Sequence, residues 1–285
     1  MLNIGIRLHD TIPGTLREKL RYTGTQGFRC AHIALSKVLP DFRMDLAEQL
    51  MTDELAEEIR TALAEAEMSC AVLGCYLNLA DPDPERREKT EAIYRAHLRF
   101  AGKINAVTVG TETPPAPGAP FSDPAGSEEA FRLFVDCLRP VVRCAEEENV
   151  TVAVEPVYRH IISTPERAER LLDEIPSDRL RIILDAVNLI APERAGEADG
   201  IIAEAIQRLG DRVSVLHMKD YILENGQCRA SACGTGNMRY GRLLSLAAER
   251  NLPMTLENTT PENAEQARLF LEQSYRRLKG AENEK

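Results

Sequence analysis

The sequence contains no tryptophan, and aromatic residues make up only 5% of its 285 residues. A hydrophobic core in this chain must therefore consist mainly of aliphatic side chains. Hydrophobic residues reach 44% and charged residues 28%, which is ordinary for a globular protein with a substantial core. The length fits one large α/β domain or two small ones, and the composition favours a single globular unit.

The sequence also lacks the motifs of a disulfide scaffold and of a membrane protein. It has seven cysteines and no C-x-x-C motif, since Cys70 and Cys75, like Cys228 and Cys233, are five residues apart. We interpret this odd number as reduced thiols in a cytoplasmic protein. No apolar stretch approaches transmembrane length, and no basic segment precedes the first apolar run, so we expect no membrane partner.

Basic residues are fewer than acidic ones, 35 against 45, which gives a net charge of −10. An acidic surface repels a phosphate backbone, so we expect no nucleic-acid partner. A G-x-G-x-x-G motif is also missing after the first predicted strand. A dinucleotide-binding fold therefore lacks its main sequence support.

What the sequence does contain is a regular alternation of short apolar strands and longer helical segments. Helix-start signals, in which a capping residue precedes proline, occur at Asp83-Pro84, Thr164-Pro165 and Thr260-Pro261. A stretch rich in proline at 113–126 predicts a loop over the mouth of the barrel. We predict an α/β fold, a single (β/α)8 TIM barrel over residues 1–280 with a polar tail at 281–285. Its strands are predicted at 2–8, 29–35, 69–76, 106–110, 150–155, 181–185, 213–217 and 253–257.

Four successive strands of this series end in a side chain that can bind metal, namely Glu155, Asp185, His217 and Glu257. Their spacings of 30, 32 and 40 residues match one strand plus one helix, so parallel strands bring all four to the same rim. Each could instead be a lone polar residue that closes a strand, but four in succession favour a shared site. Carboxylate and imidazole donors without thiolate suit one Mn²⁺, Mg²⁺, Co²⁺ or Zn²⁺ ion.

The motifs around these residues resemble the xylose isomerase-like barrel superfamily, in particular its sugar phosphate isomerase/epimerase branch. The resemblance covers nearly the whole chain and implies that the four residues hold the family's single divalent metal. Where many members have His three residues after the strand-six Asp, this sequence has Asn188. The motifs are Val-Glu155-Pro, Leu-Asp185-x-x-Asn188, Leu-His217-x-Lys219-Asp220, Gly234-Thr235-Gly236 and Leu-Glu257-Asn.

The resemblance implies a metal-dependent isomerase or epimerase of a small sugar or polyol ketone. In such a reaction a divalent ion stabilises an enediolate intermediate, while Glu155 and Glu257 remove and return the α-proton. The partner is then a small carbohydrate substrate, and assembly into a homo-oligomer is left open. Residues of the rim loops are candidates for substrate binding: His160, Asn188, Lys219 and His9, with His32 and Glu112 as weaker ones.

Other activities of the same superfamily remain alternatives. A dehydratase acting on a cyclitol-like ketone shares the first chemical step and cannot be separated by ligands alone. A non-catalytic sugar-binding barrel is a further alternative, but it would be expected to lack one of the two glutamates. An AP endonuclease needs additional histidine ligands for a zinc cluster, whereas this chain has five histidines and places His97 within a helix.

Overall fold

The eight predicted strands form a closed parallel barrel in the computed structural model, which describes residues 2–113 and 126–283. A separate antiparallel hairpin of two strands lies outside the barrel. The strands are β1 (Asn3–Arg7), β2 (Cys30–Ile33), β3 (Ser69–Gly74), β4 (Thr108–Glu112), β5 (Val152–Glu155), β6 (Leu180–Asp185), β7 (Val213–Met218), β8 (Asp220–Glu224), β9 (Gln227–Ser231) and β10 (Pro253–Leu256). Around the barrel they follow the order β1, β10, β7, β6, β5, β4, β3, β2. The predicted (β/α)8 fold is confirmed.

Helices follow the strands as predicted, with two short helical turns added after β2. The helices are α1 (Leu16–Thr25), α2 (Leu35–Val38), α3 (Ala47–Leu50), α4 (Asp53–Glu65), α5 (Pro84–Lys103), α6 (Glu128–Glu147), α7 (Pro165–Glu174), α8 (Ala198–Leu209), α9 (Gly241–Arg250) and α10 (Ala264–Asn283). None of those in the described part of the chain combines the length and apolar character that crossing a membrane requires.

Two of the three helix-start signals work as predicted, because the capping side chain accepts a hydrogen bond from the first turn. Asp83 caps α5 and Thr164 caps α7, each followed by proline at the first helical position. The third signal was wrong by three residues. Residues 261–263 form a turn in which the amide of Thr260 donates to Oδ1 of Asn263 at 2.8 Å, and α10 begins only at Ala264.

The core is mainly aliphatic, in line with the composition, although large aromatic side chains such as Phe100 and Phe131 are also fully buried. All seven cysteines are free thiols. Inside the barrel, small and branched side chains fill the space between opposite strands, as strands covered on both faces require. These fully buried residues are Cys30, Ala71, Val72, Ala153, Ile183 and Val215.

Three regions differ from the sequence prediction or could not be compared with it. The hairpin of β8 and β9 was not predicted. Helix α10 continues to Asn283, past the expected end of the barrel at residue 280, so a polar tail from 281 remains only a prediction. The proline-rich segment 113–126 lies, except for its two ends, outside the described residues.

Candidate metal centre and active site

The four predicted metal ligands lie together at the carboxyl rim of the barrel. Glu155 and Asp185 are the last residues of β5 and β6, His217 is the last but one of β7, and Glu257 follows β10 directly. Because the strands are parallel and Asp185 pairs in register with His217, these side chains leave the barrel at one level. All four residues are buried.

The carboxylates of Glu155 and Glu257 both approach the imidazole of His217. Its Nδ1 atom lies 3.1 Å from Oε2 of Glu155 and 3.4 Å from Oε1 of Glu257. Ligand atoms of Glu155, Asp185 and His217 lie within 4.8 Å of one another, as do those of His32, His217 and Glu257. Nε2 of His217 has no hydrogen-bond partner in the part of the chain that the structure describes. A buried set of carboxylate and imidazole donors with an unpaired ring nitrogen fits a divalent cation.

Two basic side chains offset the charge of the buried carboxylates. Nζ of Lys219 lies 2.7 Å from Oδ2 of Asp185 and 3.3 Å from Oε2 of Glu257. Arg7, the last residue of β1, brings Nη1 within 3.3 Å of the same Glu257 oxygen. Charges withdrawn from water need such partners, since an unpaired buried charge is strongly destabilising.

The buried carboxylates favour positive charge beside them, and the pKa values of Glu257 and His217 are shifted accordingly. Burial opposes ionisation of Glu257, but the positive charges of His217, Lys219 and Arg7 outweigh it and hold its pKa far below the ordinary value. Burial likewise lowers the pKa of His217, but attraction by Glu155 and Glu257 outweighs it and raises this pKa to about 9. A divalent ion would supply the positive charge that this environment favours.

Two of the four predicted substrate-binding residues contact the ligand cluster directly. Nδ2 of Asn188 donates to Oε1 of Glu155 at 2.5 Å, and the backbone amide of Asn188 donates to Oδ1 of Asp185 at 3.2 Å. Lys219 contacts Asp185 and Glu257, as described above. The side-chain amide of Asn188 thus orients Glu155, a predicted ligand. An imidazole at this position would offer ring nitrogens in place of the NH₂ group.

The other two predicted substrate-binding residues, both histidines, have different positions. His9 lies in a 3₁₀ turn after β1 and lines a cavity of about 370 Å³ above the ligand cluster. His160 is buried, and burial lowers its pKa to about 4. It lies outside the set of described residues that line the cavity. The structure therefore brings His9, and not His160, to the cavity.

The cavity wall also includes residues that the sequence analysis missed or ranked low. His32 and Glu112, the weaker candidates, both line it, and burial together with Glu155 and Glu257 raises the pKa of Glu112 to about 7. Arg7 and Tyr76 were not predicted. Arg7 ends β1 and Tyr76 follows β3 by two residues. Both therefore lie at the carboxyl end of a strand, as the four predicted ligands do.

Comparison with known proteins agrees with this architecture. Residues 24–274 match the family described as xylose isomerase-like TIM barrel. No curated protein matches the chain in sequence. Among solved structures, 3-keto-D-glucoside 4-epimerase YcjR from E. coli is 18% identical with a TM-score of 0.73, and the match covers 96% of this chain and 100% of that one.

Two further solved structures show the same fold. The IolI protein with a bound zinc atom is 18% identical with a TM-score of 0.73, and the match covers 98% of both chains. D-psicose 3-epimerase from Clostridium cellulolyticum H10, solved with D-tagatose, is 19% identical with a TM-score of 0.69. That match covers 91% of this chain and 85% of the epimerase. At such identities the likeness is one of fold.

Proposed function

The chain belongs to the xylose isomerase-like TIM barrel family, and on that basis we propose that it is a divalent-metal-dependent isomerase or epimerase of a small sugar or polyol ketone. The observation that carries the proposal is the convergence of Glu155 and Glu257 on Nδ1 of His217, at 3.1 Å and 3.4 Å. Two carboxylates held this close can act on one substrate carbon. Two of the solved structures similar to this chain are sugar epimerases, which supports a carbohydrate substrate.

In the proposed reaction Glu257 or Glu155 removes the proton from the carbon beside the carbonyl group, and the other carboxylate returns one. A divalent ion held by Glu155, Asp185, His217 and Glu257 would supply positive charge that offsets the negative charge developing on the carbonyl oxygen. Asn188 keeps the Glu155 carboxylate oriented through its hydrogen bond, and Lys219 adds positive charge beside Asp185. Burial of the cluster limits access of water to it.

Metal binding is tested by elemental analysis after incubation with Mn²⁺ and dialysis. We expect about one ion per chain in the wild type and none in Asp185→Ala, because the buried carboxylate is one of only four proposed ligands. Asp136→Ala is the matched control, since Asp136 is exposed on α6. Equal metal in wild type and Asp185→Ala would refute the proposed ligand set.

Proton transfer is tested by incubating the metal-loaded chain with ketoses in D₂O. The panel includes D-psicose, D-tagatose and D-fructose, and the readout is deuterium at the carbon next to the carbonyl, detected by NMR. An isomerase or epimerase incorporates deuterium because the abstracted proton meets solvent before it returns. Loss of water from a cyclitol ketone in the same assay would indicate a dehydratase instead, and tight binding without any exchange would indicate a sugar-binding barrel.

A further inference from the structure

A polar surface that the proposed proton transfer does not use faces the ligand cluster from the other side of the barrel. His32 belongs to β2, which lies opposite β6 in the ring of strands, and Tyr76 follows β3, which lies opposite β7. The ring of His32 stacks on that of His217 with centroids 5.3 Å apart, and the ring of Tyr76 is 5.6 Å from His32. We call this pair the His32–Tyr76 wall.

The polar atoms of the His32–Tyr76 wall are buried without partners. Both ring nitrogens of His32 and the hydroxyl of Tyr76 have no hydrogen bond to any described residue, and the same holds for Nδ1 of the neighbouring His9. Buried polar groups normally find partners, so several unpartnered ones lining a single cavity point to a ligand. A ligand hydroxyl fits these atoms because it both donates and accepts hydrogen bonds.

Two glycines make the space that these rings occupy. Gly74 and Gly110 are paired in register on β3 and β4. A Cβ atom at Gly74 would lie 2.8 Å from Nε2 of His32 and 2.9 Å from Cε2 of Tyr76, and one at Gly110 would lie 3.0 Å from the Tyr76 hydroxyl. The strands are thus shaped so that the two polar rings can enter the barrel mouth.

The charges near the His32–Tyr76 wall are unfavourable for an anionic group. Burial, followed by the negative charges of Glu155, Glu257 and Glu112, raises the pKa of Tyr76 far above the ordinary value, so the phenol stays protonated and can donate. The nearby guanidinium of Arg7 is already paired with Asp10 at 2.8 Å and with Glu257. Two lysines also line the cavity: Lys219 is paired with Asp185 and Glu257, and Lys37 lies on α2. A phosphate group at this wall would therefore meet three carboxylates, with Lys37 as the remaining lysine of the lining.

Building on the proposed function, we infer that the His32–Tyr76 wall binds hydroxyl groups of the substrate, and that this substrate is an uncharged polyhydroxy ketone rather than a sugar phosphate. Tyr76 donates its phenolic proton to one substrate oxygen, and His32 pairs with a second. The two residues therefore determine specificity, whereas the glutamates across the cavity carry out the proton transfer.

The test uses tyrosine absorbance, which the absence of tryptophan leaves unobscured in this chain. The Mn²⁺-loaded protein is titrated with D-psicose, D-tagatose and D-fructose and with their 6-phosphate esters, by calorimetry and by ultraviolet difference spectroscopy. We expect a tyrosine difference spectrum with at least one free ketose. It should be retained in Tyr275→Phe, a control on α10, and lost in Tyr76→Phe together with a roughly 5- to 100-fold loss of affinity.

Thermal unfolding separates this role from a structural one. Because the Tyr76 hydroxyl has no partner among the described residues, Tyr76→Phe should unfold at the wild-type temperature or above it. The inference is overturned if Tyr76→Phe lowers the unfolding temperature and leaves affinity unchanged, if no free ketose perturbs tyrosine absorbance, or if the phosphate esters bind more tightly. Ketose binding with the tyrosine signal but without deuterium exchange would refute the proposed function alone.

Discussion

At the scale of single residues, the proposed proton step depends on buried carboxylates and on the groups that keep them charged. Glu257 is held ionised by His217, Lys219 and Arg7, which outweigh the effect of burial on its pKa. Glu155 accepts a hydrogen bond from Asn188 at 2.5 Å. Ionisation of Glu257 and orientation of Glu155 each favour proton abstraction, which needs an unprotonated and correctly placed base.

Replacing either glutamate by glutamine should therefore suppress turnover strongly. Glutamine keeps the size and one oxygen of the side chain but removes the basic carboxylate. We expect Glu155→Gln and Glu257→Gln each to lower kcat/KM by about 10²- to 10⁴-fold on a ketose that exchanges deuterium. Asn188→Ala removes only a hydrogen bond to Glu155, so it should cost about tenfold. Near wild-type rates in both Gln variants would refute the two-carboxylate mechanism.

Part of the site could be predicted at this scale because the end of a strand can be located in the sequence. Glu155, Asp185, His217 and Glu257 each close a clear apolar run, so their shared rim followed from topology. Arg7 and Tyr76 were missed because the predicted strands 2–8 and 69–76 each extended past the observed strand. A boundary error of one or two residues assigns a rim side chain to the strand interior.

At the scale of elements, the unpredicted hairpin of β8 and β9 is tied to the site by one buried carboxylate. Oδ1 of Asp220 accepts from the amides of Tyr221 and Met238, both at 2.8 Å. Its Oδ2 accepts from the amides of Gly234 and Gly236 at 3.1 Å and 3.0 Å. Asp220 follows Lys219 directly, so it fixes the loop of residues 232–238 to the end of β7.

Asp220→Asn should destabilise this loop and the whole barrel. The amide nitrogen of asparagine would face two backbone N–H donors and leave them unpaired in a buried site. We expect a loss of about 3 kcal/mol in the free energy of unfolding, measured by urea denaturation. Asp211→Asn, at an exposed aspartate, should change it by less than about 0.5 kcal/mol. Equal stability of the two variants would show that the amide contacts to Asp220 contribute little.

A second prediction at the scale of elements concerns His97 on helix α5. The side chain is fully buried, its Nδ1 donates to the carbonyl of Ile93 at 2.8 Å, and Nε2 has no partner among the described residues. Burial lowers the pKa of His97 to about 4. The unfolded chain therefore binds a proton more readily than the folded one between pH 6.5 and 4, so His97 makes stability fall with acidification across that window.

His97→Leu should reduce this dependence on pH. A pKa lowered from 6.5 to about 4 corresponds to roughly 3 kcal/mol of stability, fully present above pH 6.5 and mostly lost by about pH 4. We expect the wild type to lose about 2.5 kcal/mol more stability than the variant between pH 7 and 4.5, measured by urea denaturation at each pH. Parallel stability profiles of the two proteins would show that His97 is not held neutral by burial.

The hairpin was missed although the sequence carried a signal for it. Asn225 and Gly226 both have positive φ, at 50° and 74°, as a tight two-residue hairpin turn requires. Only Asp220 and Tyr221 of the two flanking strands are buried, so these strands lack the long buried apolar runs by which the barrel strands were found. The barrel elements were predictable because burial on both faces imposes such runs, whereas a partly exposed hairpin is signalled mainly by its turn.

At the scale of the whole molecule, the net charge of −10 bears on the nuclease activity that occurs within the superfamily. A protein gains affinity for a nucleic acid mainly by neutralising phosphates and releasing counterions, and an acidic surface offers little of this. Of the five histidines, His97 is packed within α5 and His160 lies outside the described cavity lining. That leaves the imidazoles of His9 and His32, besides His217, near the ligand cluster.

We accordingly expect the chain to leave an abasic-site DNA duplex intact. The assay incubates the duplex with the protein and Zn²⁺ or Mn²⁺ at low salt, where electrostatic binding is strongest, and separates the strands on a denaturing gel. A family 2 AP endonuclease is the positive control, and Asp185→Ala identifies any contaminating nuclease, since a contaminant would be equally active in that preparation. Incision by the wild type that disappears in Asp185→Ala would show that the ligand cluster acts on phosphodiesters, and the sugar isomerase assignment would then have to be abandoned.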